Sequence, residues 1–222
     1  MKYVLNKKES TARINGLYVI LDPAIVNKNS IIEIAKGTLS GGTRAIQFRD
    51  KQNEKGIQIK TALELKKLCD EYNAAFIIND HADLALATNA HGLHIGKNDL
   101  PYHYVTKILN SNQFIGTSNN NFEECQNSIQ EGADYIAIGA MFATDSKTNT
   151  RPSTLKHITK IKKLPSTPPI VAIGGININN IDLVLEAGAD SICVISAISL
   201  SSNPENATKQ LVRKINQFKK NI

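Results

Sequence analysis

Residues 76–99 read FIINDHADLALATNAHGLHIGKND, and this stretch decides the fold. Two short apolar runs, residues 76–78 and 92–95, are predicted to be buried strands, and the alanine- and leucine-rich segment between them is predicted to be a helix. An acid follows each run: Asp80 after the first and Asp99 after the second. If the strands are parallel neighbours joined by this helix, both carboxylates emerge at the same edge of the sheet. The stretch therefore predicts a carboxylate pair able to hold a divalent cation.

The composition is that of a globular domain. The 222 residues are 41% hydrophobic and 21% charged, and a chain of this length can bury a substantial core as a single domain. Three scattered cysteines without a CxxC pair argue against a disulfide framework or a zinc site and favour a reducing compartment. The first residues lack the apolar core of a secretory signal, and no run approaches the ~18 apolar residues of a membrane span. We expect a cytoplasmic protein without a membrane segment.

The net charge of +6 is best explained by lysines scattered along the predicted helices. Nucleic-acid binding is not predicted, because no basic stripe is interleaved with aromatic residues, which make up only 5% of the chain. A local excess of positive charge around an anionic small molecule is the more useful alternative.

Strands and helices alternate along the chain. Short apolar strands, such as YIAI at residues 135–138 and SICVI at residues 191–195, are typical of a parallel sheet covered by helices. Eight strand–helix pairs in this length favour a closed α/β architecture, the (β/α)8 TIM barrel, over an open doubly wound sheet. No GxGxxG follows the first strand, which argues against a dinucleotide-binding fold. We expect one barrel over residues 16–222, preceded by a short polar extension at residues 1–15.

Polar residues follow nearly every predicted strand, and in a (β/α)8 barrel these positions surround the active site. Asp80 and Asp99 match the one or two carboxylates that magnesium takes alongside water and substrate phosphates, although each acid is also placed to cap a helix. The cations with reach to the same mouth are Arg49, Lys51 and Lys147. Arginine grips phosphate oxygens bidentately and lysine acts as a point charge, but such residues also form plain solvated turns. Together they predict magnesium and a polyanionic substrate.

Gly174 and Gly175 follow the seventh predicted strand, and Ser196 follows the eighth. Backbone N–H groups at a glycine pair ahead of a helix can approach a phosphate closely, and barrels often bind phosphate after these two strands. Turn chemistry alone is the alternative for the glycines. His94 lies within a strand-like run and is predicted to be a hydrogen-bonded structural residue rather than a catalyst.

Together these segments resemble the thiamine-phosphate synthase family, whose relatives include thiazole tautomerase proteins. The matching segments run from Leu17 to about Ile198: LYVILDP, IQFRDK, FIINDHADLALA, HGLHIGKND, GTS, YIAIGAMFATDSK, PIVAIGGIN and ADSICVISAI. The resemblance implies a magnesium-dependent transferase. In that reaction 4-amino-2-methyl-5-hydroxymethylpyrimidine diphosphate ionises and releases pyrophosphate. The nitrogen of 4-methyl-5-(2-phosphooxyethyl)thiazole then captures the pyrimidine cation to give thiamine phosphate.

The same resemblance implies a role for each residue at a strand end. Asp80 and Asp99 would bind Mg²⁺, and Lys147, Arg49 and Ser118 would act in catalysis. The substrate contacts fall into three groups. Arg49, Lys51, Asn79 and Lys147, with Ser118 nearby, would hold the diphosphate; Gln47 would contact the pyrimidine; and Thr144, Ser146, Gly175 and the backbone of Ile195 and Ser196 would receive the thiazole phosphate.

The chain departs from the family pattern at four places, one of which is His81, where the family has other polar residues. Ala140 follows Gly139 where the family usually has proline, which puts the geometry of the following loop in question. Lys97 stands where glutamine is common, and Ser146 replaces a usual threonine but keeps the hydroxyl. Lys97 adds a cation near Asp99, which either helps to bind anions or weakens the metal affinity.

Two other functions remain open. A thiazole tautomerase would use a histidine near the fifth strand as an acid–base, whereas this chain has Ser118 followed by three asparagines. A non-catalytic regulatory protein that binds thiamine phosphates would need the phosphate contacts but neither the carboxylate pair nor Lys147. The expected partners are small phosphorylated molecules rather than nucleic acid or membrane, and homo-oligomerisation is left open.

Overall fold

The computed structural model describes residues 6–26, 30–146 and 150–220. Eight parallel strands close into a barrel, each pairing with its neighbours in sequence, and β8 returns to β1. This architecture confirms the (β/α)8 fold predicted from the sequence. The strands are β1 (Gly16–Leu21), β2 (Ala45–Phe48), β3 (Ala75–Asn79), β4 (Gly92–Ile95), β5 (Phe114–Asn119), β6 (Tyr135–Ile138), β7 (Ile170–Ile173) and β8 (Ser191–Val194).

Helices connect successive strands and cover the outside of the barrel. Across the described ranges, no helix is both long enough and apolar enough to cross a membrane. The helices are α1 (Lys7–Ala12), α2 (Ile31–Ser40), α3 (Lys55–Glu71), α4 (Ala82–Ala87), α5 (Tyr102–Ile108), α6 (Phe122–Glu131), α7 (Leu155–Lys162), α8 (Ile181–Glu186), α9 (Ser196–Ser199) and α10 (Pro204–Lys220).

Two apolar cores result, because successive side chains of each strand point to opposite sides of the sheet. The larger core lies between the strands and the helices. The smaller core fills the interior of the barrel and includes Tyr18, Ile77, Phe114 and Tyr135. The interior is therefore packed rather than hollow, and ligands can enter only at its ends.

The segment before β1 contains a helix that the sequence analysis does not predict. Helix α1 begins with a capping box in which Asn6 Oδ1 accepts from the Glu9 backbone N–H and Glu9 accepts from the Asn6 N–H, both at 3.0 Å. Lys7 forms an ion pair of 3.0 Å with Asp134, which directly precedes β6. Ile14 is fully buried within the inner core. Residues 6–15, described in the sequence analysis as part of a polar extension, thus pack against the barrel.

A glycine in β5 makes room for the largest polar side chain of the inner core. A Cβ atom at Gly116 would lie 2.0 Å from the ring of Tyr135 on the neighbouring strand. No real side chain tolerates such a contact, so the tyrosine keeps its place only because residue 116 lacks a Cβ.

Candidate active site

Asp80 and Asp99 meet at the carboxyl edge of the sheet, as the sequence predicts. Strands β3 and β4 are parallel neighbours joined by α4, and the Asp80 N–H donates to the His94 carbonyl at 2.8 Å. Asp99 Oδ2 accepts from the Gly96 N–H at 2.6 Å, and the carboxyl groups of Asp80 and Asp99 lie close enough for each to shift the pKa of the other. Neither acid is the N-cap of a helix, since α4 begins after His81 and α5 after Pro101. The helix-cap alternative is therefore wrong for both.

Opposite pKa shifts in the two acids follow from their contact. Burial works against ionisation of Asp80, but the hydrogen bond with Asp99 and the ion pair with Lys51 outweigh it, so the pKa of Asp80 is lowered. Burial and the adjacent Asp80 carboxylate raise the pKa of Asp99, against the opposing effect of the Gly96 N–H. Two ionised carboxylates in contact repel each other, and a bound cation removes that repulsion.

The donor set of the carboxylate pair fits magnesium. Within the described part of the chain, no group of three or more His, Cys, Asp or Glu side chains is placed to hold a metal ion. Two carboxylates at an open mouth are the set expected for Mg²⁺, which keeps several waters and shares its remaining positions with substrate phosphates.

The resemblance assigns three cations to the diphosphate, and the two that the structure describes, Arg49 and Lys51, are both paired with acids. Arg49 donates to Asp22 Oδ2, and Lys51 donates to Asp80 Oδ2. The sequence analysis assigns no role to Asp22, although it directly follows β1 and is buried; its place at a strand end is the signal that would have found it. The third cation, Lys147, lies outside the described residues.

The loop that carries Arg49 and Lys51 is ordered by the acid between them. Asp50 is buried, and its Oδ1 atom accepts from the backbone N–H groups of Gln52 and Asn53, both at 3.0 Å. A plain solvated turn would not bury a carboxylate. The turn is therefore only partly solvated: Asp50 is buried and orders the loop, whereas Lys51 is exposed. Asn79 is also buried, at the end of β3.

A relay of buried polar side chains crosses the inside of the barrel below this mouth. Gln47 Nε2 donates to the Tyr18 hydroxyl at 2.8 Å, and the Tyr18 and Tyr135 hydroxyls lie 3.0 Å apart. The Tyr135 hydroxyl contacts His94 Nδ1 at 2.8 Å, and His94 Nε2 contacts Ser118 Oγ at 2.8 Å. Burial raises the pKa of both tyrosines, so their hydroxyls are protonated. His94 is thus hydrogen-bonded as predicted, whereas the two tyrosines were missed. Their signal is a hydroxyl-bearing ring within an otherwise apolar strand.

A larger pocket opens beside the relay, at the ends of β6, β7 and β8. The pocket, including the part that is open to solvent, spans about 760 Å³. Ser118 lines both this pocket and the cavity around the relay, so the two spaces adjoin. All the residues that the resemblance implies for the thiazole phosphate line the pocket: Thr144, Ser146, Gly175, Ile195 and Ser196.

Steric contacts alone explain why glycine occupies both positions after β7. Both have positive φ, +103° at Gly174 and +63° at Gly175. A Cβ atom would lie 2.5 Å from Ala140 Cβ in the first case and 2.4 Å from the Ala143 carbonyl oxygen in the second. Glycine is therefore needed here for the loop after β6 to pack, whether or not a phosphate binds.

A backbone hydrogen bond and an ion pair hold the base of the loop after β6. The Ala140 N–H donates to the Arg151 carbonyl at 2.9 Å, a bond that proline cannot make. The Gly139–Ala140 peptide bond is cis. The guanidinium of Arg151 donates to both carboxylate oxygens of Glu124 at 2.7 and 3.0 Å. Lys97 also contacts Glu124, at 3.4 Å. The departure at Lys97 thus adds a second, weaker cation to this ion pair.

Fold and site together define the class of the protein: a (β/α)8 barrel whose polar strand ends converge on one mouth. The chain belongs to the thiamine monophosphate synthase family, because the sequence profile of that description matches residues 17–198.

Relatives and a solved structure agree with this assignment. The chain is 39% identical over 197 residues to the thiamine-phosphate synthase of Shouchella clausii, covering 88% of this chain and 94% of that protein. It is 35% identical over 201 residues to the thiamine-phosphate synthase of Thermosynechococcus vestitus, covering 90% of this chain. The solved structure of thiamine phosphate pyrophosphorylase from Pyrococcus furiosus superposes with a TM-score of 0.85 at 33% identity, covering 94% of this chain and 98% of that one.

The relatives differ in length. The chain spans 94% of the Shouchella clausii protein but only 56 to 60% of the relatives from Thermosynechococcus vestitus, Synechocystis and Nostoc.

Proposed function

We propose that this chain joins 4-amino-2-methyl-5-hydroxymethylpyrimidine diphosphate to 4-methyl-5-(2-phosphooxyethyl)thiazole, releasing pyrophosphate and forming thiamine phosphate. The observation that carries the proposal is the placement of the carboxylate pair, Asp80 and Asp99, beside Lys51 in a barrel of this family. Such a site suits a diphosphate leaving group, because its charges lie where negative charge develops as the carbon–oxygen bond breaks.

The diphosphate end of the substrate would lie at the carboxylate pair. Asp80 and Asp99 would hold Mg²⁺, which when bound neutralises charge on the diphosphate. Arg49, Lys51 and Asn79 would bind the diphosphate oxygens, and Lys147, assigned from its sequence position alone, would stabilise the departing group. Ser118, at the junction of the two spaces, would contact the same end of the substrate.

The two rings would occupy the two adjoining spaces. Gln47, in the inner cavity, would contact the pyrimidine, and the larger pocket would hold the thiazole phosphate through Thr144, Ser146, Gly175 and the backbone at Ile195 and Ser196. Holding the thiazole nitrogen beside the carbon that loses the diphosphate supplies proximity. Closely packed walls keep water away from the pyrimidine cation, whose capture by water would give the alcohol. No covalent nucleophile is needed.

A two-substrate assay tests the proposal. Purified protein with both phosphorylated substrates and Mg²⁺ should form thiamine phosphate and pyrophosphate in equal amounts. Omission of either substrate serves as the control. A folded protein that forms no product, yet binds thiamine phosphate, would instead be the non-catalytic binder. The tautomerase alternative has no support at the end of β5, where the chain places Ser118 and Asn119.

The proposal includes a setting for the reaction. The partners would be the two small phosphorylated substrates, with no nucleic acid and no membrane, and self-association is left to measurement. We place the enzyme in the cytoplasm, which is supported by three free, buried cysteines, Cys69, Cys125 and Cys193.

A further inference from the structure

One end of the buried relay is incomplete. Gln47 Nε2 is engaged by Tyr18, but Gln47 Oε1 is buried without a hydrogen-bond partner among the described residues. The side chain lines a small cavity together with Tyr18, His94, Ser118 and Tyr135. A buried carbonyl oxygen left unpaired is costly. A ligand in the cavity that offers an N–H group would complete it.

With a neutral imidazole, two hydrogen-bond directions use every hydroxyl proton within the relay. In the first, the Gln47 amide donates to Tyr18, Tyr18 to Tyr135, and Tyr135 to His94 Nδ1; a neutral imidazole then donates from Nε2 to Ser118 Oγ. In the second, every bond runs the other way, and the amide must turn so that its oxygen accepts from Tyr18. Reversing one bond alone would make one hydroxyl accept twice and leave its own buried proton without an acceptor in the relay, so we expect the bonds to reverse together.

The two directions offer different groups to a substrate. The first leaves Gln47 Oε1 as an acceptor at one end and frees the Ser118 hydroxyl to donate at the other. The second leaves Gln47 Nε2 as a donor toward the ligand, and the Ser118 hydroxyl donates to His94 Nε2 instead of to the substrate. A diphosphate only accepts hydrogen bonds, so an anion at Ser118 favours the first direction, in which Gln47 is an acceptor.

We propose that Tyr18, Tyr135 and His94 are positioning residues that hold the Gln47 amide with its oxygen toward the ligand, so that the site selects an aminopyrimidine over an oxopyrimidine. This inference rests on the proposed function, which places the diphosphate near Ser118. It adds a coupling: recognition of the ring amino group at Gln47 and of the anion at Ser118 share one chain of hydrogen bonds.

The tautomer of His94 is the first test. In protein with ¹⁵N-labelled histidine, bound to Mg²⁺ and the aminopyrimidine diphosphate, nitrogen NMR shifts should show a protonated Nε2 and an unprotonated Nδ1. A proton on Nδ1 overturns the inference. The measurement uses the unmodified chain, so it does not depend on a variant that folds.

Ring preference is the second test. Calorimetric affinities for the aminopyrimidine diphosphate and its 4-oxo counterpart, measured with Mg²⁺ and without the thiazole, should differ by roughly 100-fold in the unmodified chain, since the oxo ring leaves a buried carbonyl unpaired. Tyr18→Phe and Tyr135→Phe break the relay and should reduce this preference to below about 5-fold. Tyr72→Phe, which removes a hydroxyl that contacts Ser40 away from this cavity, should leave it unchanged. A preference that survives in folded Tyr18→Phe and Tyr135→Phe proteins overturns the inference.

The experiments distinguish failure of the proposed function from failure of the positioning role of the relay. Protein that shows the amino preference and the expected tautomer but forms no thiamine phosphate would contradict the proposed function and leave the relay intact. Turnover with a tyrosine-independent preference would do the reverse. Protein that binds neither pyrimidine would contradict both.

Discussion

Lys51 Nζ donates a hydrogen bond to Asp80 Oδ2, so a cationic side chain rests on one of the two carboxylates proposed to hold magnesium. The Asp80 side chain is 10% exposed, whereas the lysine side chain is 46% exposed and is therefore accessible to an incoming anion. Lys51 thus satisfies the acid pair when no ligand is bound and is placed to transfer its contact to a diphosphate.

Replacement of Lys51 by methionine should therefore have opposite effects on two ligands. The affinity for Mg²⁺ alone should rise about 3- to 10-fold, because the metal no longer competes with an internal cation, and the affinity for the pyrimidine diphosphate should fall about 10-fold or more. Titration calorimetry measures both. Lys55→Met is the matched control, since Lys55 pairs with the exposed Asp83 nearby and should change neither. A loss of both affinities in Lys51→Met would contradict the competition.

The carboxylate pair is best tested with asparagine. Asp80 has φ +63°, a conformation that asparagine adopts more readily than alanine, so Asp80→Asn and Asp99→Asn remove charge with little backbone strain. Each should reduce Mg²⁺-dependent turnover by more than about 100-fold while leaving the circular dichroism spectrum unchanged. Chelation of the metal should have the same effect, reversed by adding Mg²⁺. Asp83→Asn is the control for charge; if both site variants retained normal rates, the metal assignment would be wrong.

The ion pair between Glu124 and Arg151 should support the larger pocket, which Arg151 lines. The Arg151 hydrogen bonds are the main cause that lowers the pKa of Glu124 to about 2, so the pair stays ionised throughout the useful pH range. Glu124→Gln should weaken binding of the thiazole phosphate about 3- to 10-fold, measured by calorimetry. Lys97→Met should change it less than 2-fold, because Lys97 is 66% exposed and 3.4 Å from Glu124. Equal effects of the two variants would refute the role of the Glu124–Arg151 ion pair in supporting the pocket.

His91 should make stability depend on pH. Its Nδ1 accepts from the Phe76 N–H at 2.9 Å, and burial, helped by the charge of Lys66 and opposed by Asp70, lowers its pKa to about 4. The unfolded chain has a histidine pKa of about 6.5, so between these values the unfolded state binds a proton that the folded state does not. His91 in its neutral form therefore adds about 3 kcal/mol to the free energy of unfolding. This stabilisation is present in full above about pH 6.5 and is lost as the pH falls toward 4.

Urea unfolding at pH 7 and at pH 4.5 measures this effect. His91→Gln should show a smaller loss of unfolding free energy between the two pH values than the unmodified chain, whereas His103→Gln, exposed on α5, should show the same loss. An unchanged loss in His91→Gln would mean that other groups cause the acid sensitivity.

Gly116→Ala should destabilise the barrel because the new Cβ would overlap the Tyr135 ring. Overpacking of this kind costs about 1–3 kcal/mol. Gly56→Ala is the control: its Cβ meets no atom within 4 Å on helix α3, and alanine should raise the unfolding free energy by up to about 1 kcal/mol. Thermal unfolding compares the two, and equal stabilities would show that Tyr135 can move aside.

Much of the site was predictable because its residues lie directly after strands that the sequence itself reveals. Asp80 and Asp99 each lie shortly after a strand that is recognisable in the sequence, and parallel strands bring their carboxyl ends to one edge. The same reasoning places Arg49, Lys51 and Ser196 at the mouth. Helix α1 was missed because its polar residues lack an apolar periodicity, although Asn6 and Glu9 form a standard capping pair.

The sequence by itself determined the order of strands and helices, the closed barrel, and the set of residues that surround its mouth, because these follow from apolar patterns and strand ends within short segments. Only the tertiary structure decided which of them touch. Tyr18 and Tyr135 are 117 residues apart yet share a hydrogen bond, and Lys51 meets Asp80 from a different strand end. The first pair depends on the register with which β1 and β8 close the barrel, the second on the register of β2 against β3, and both on the direction in which each side chain points. No local pattern encodes these registers.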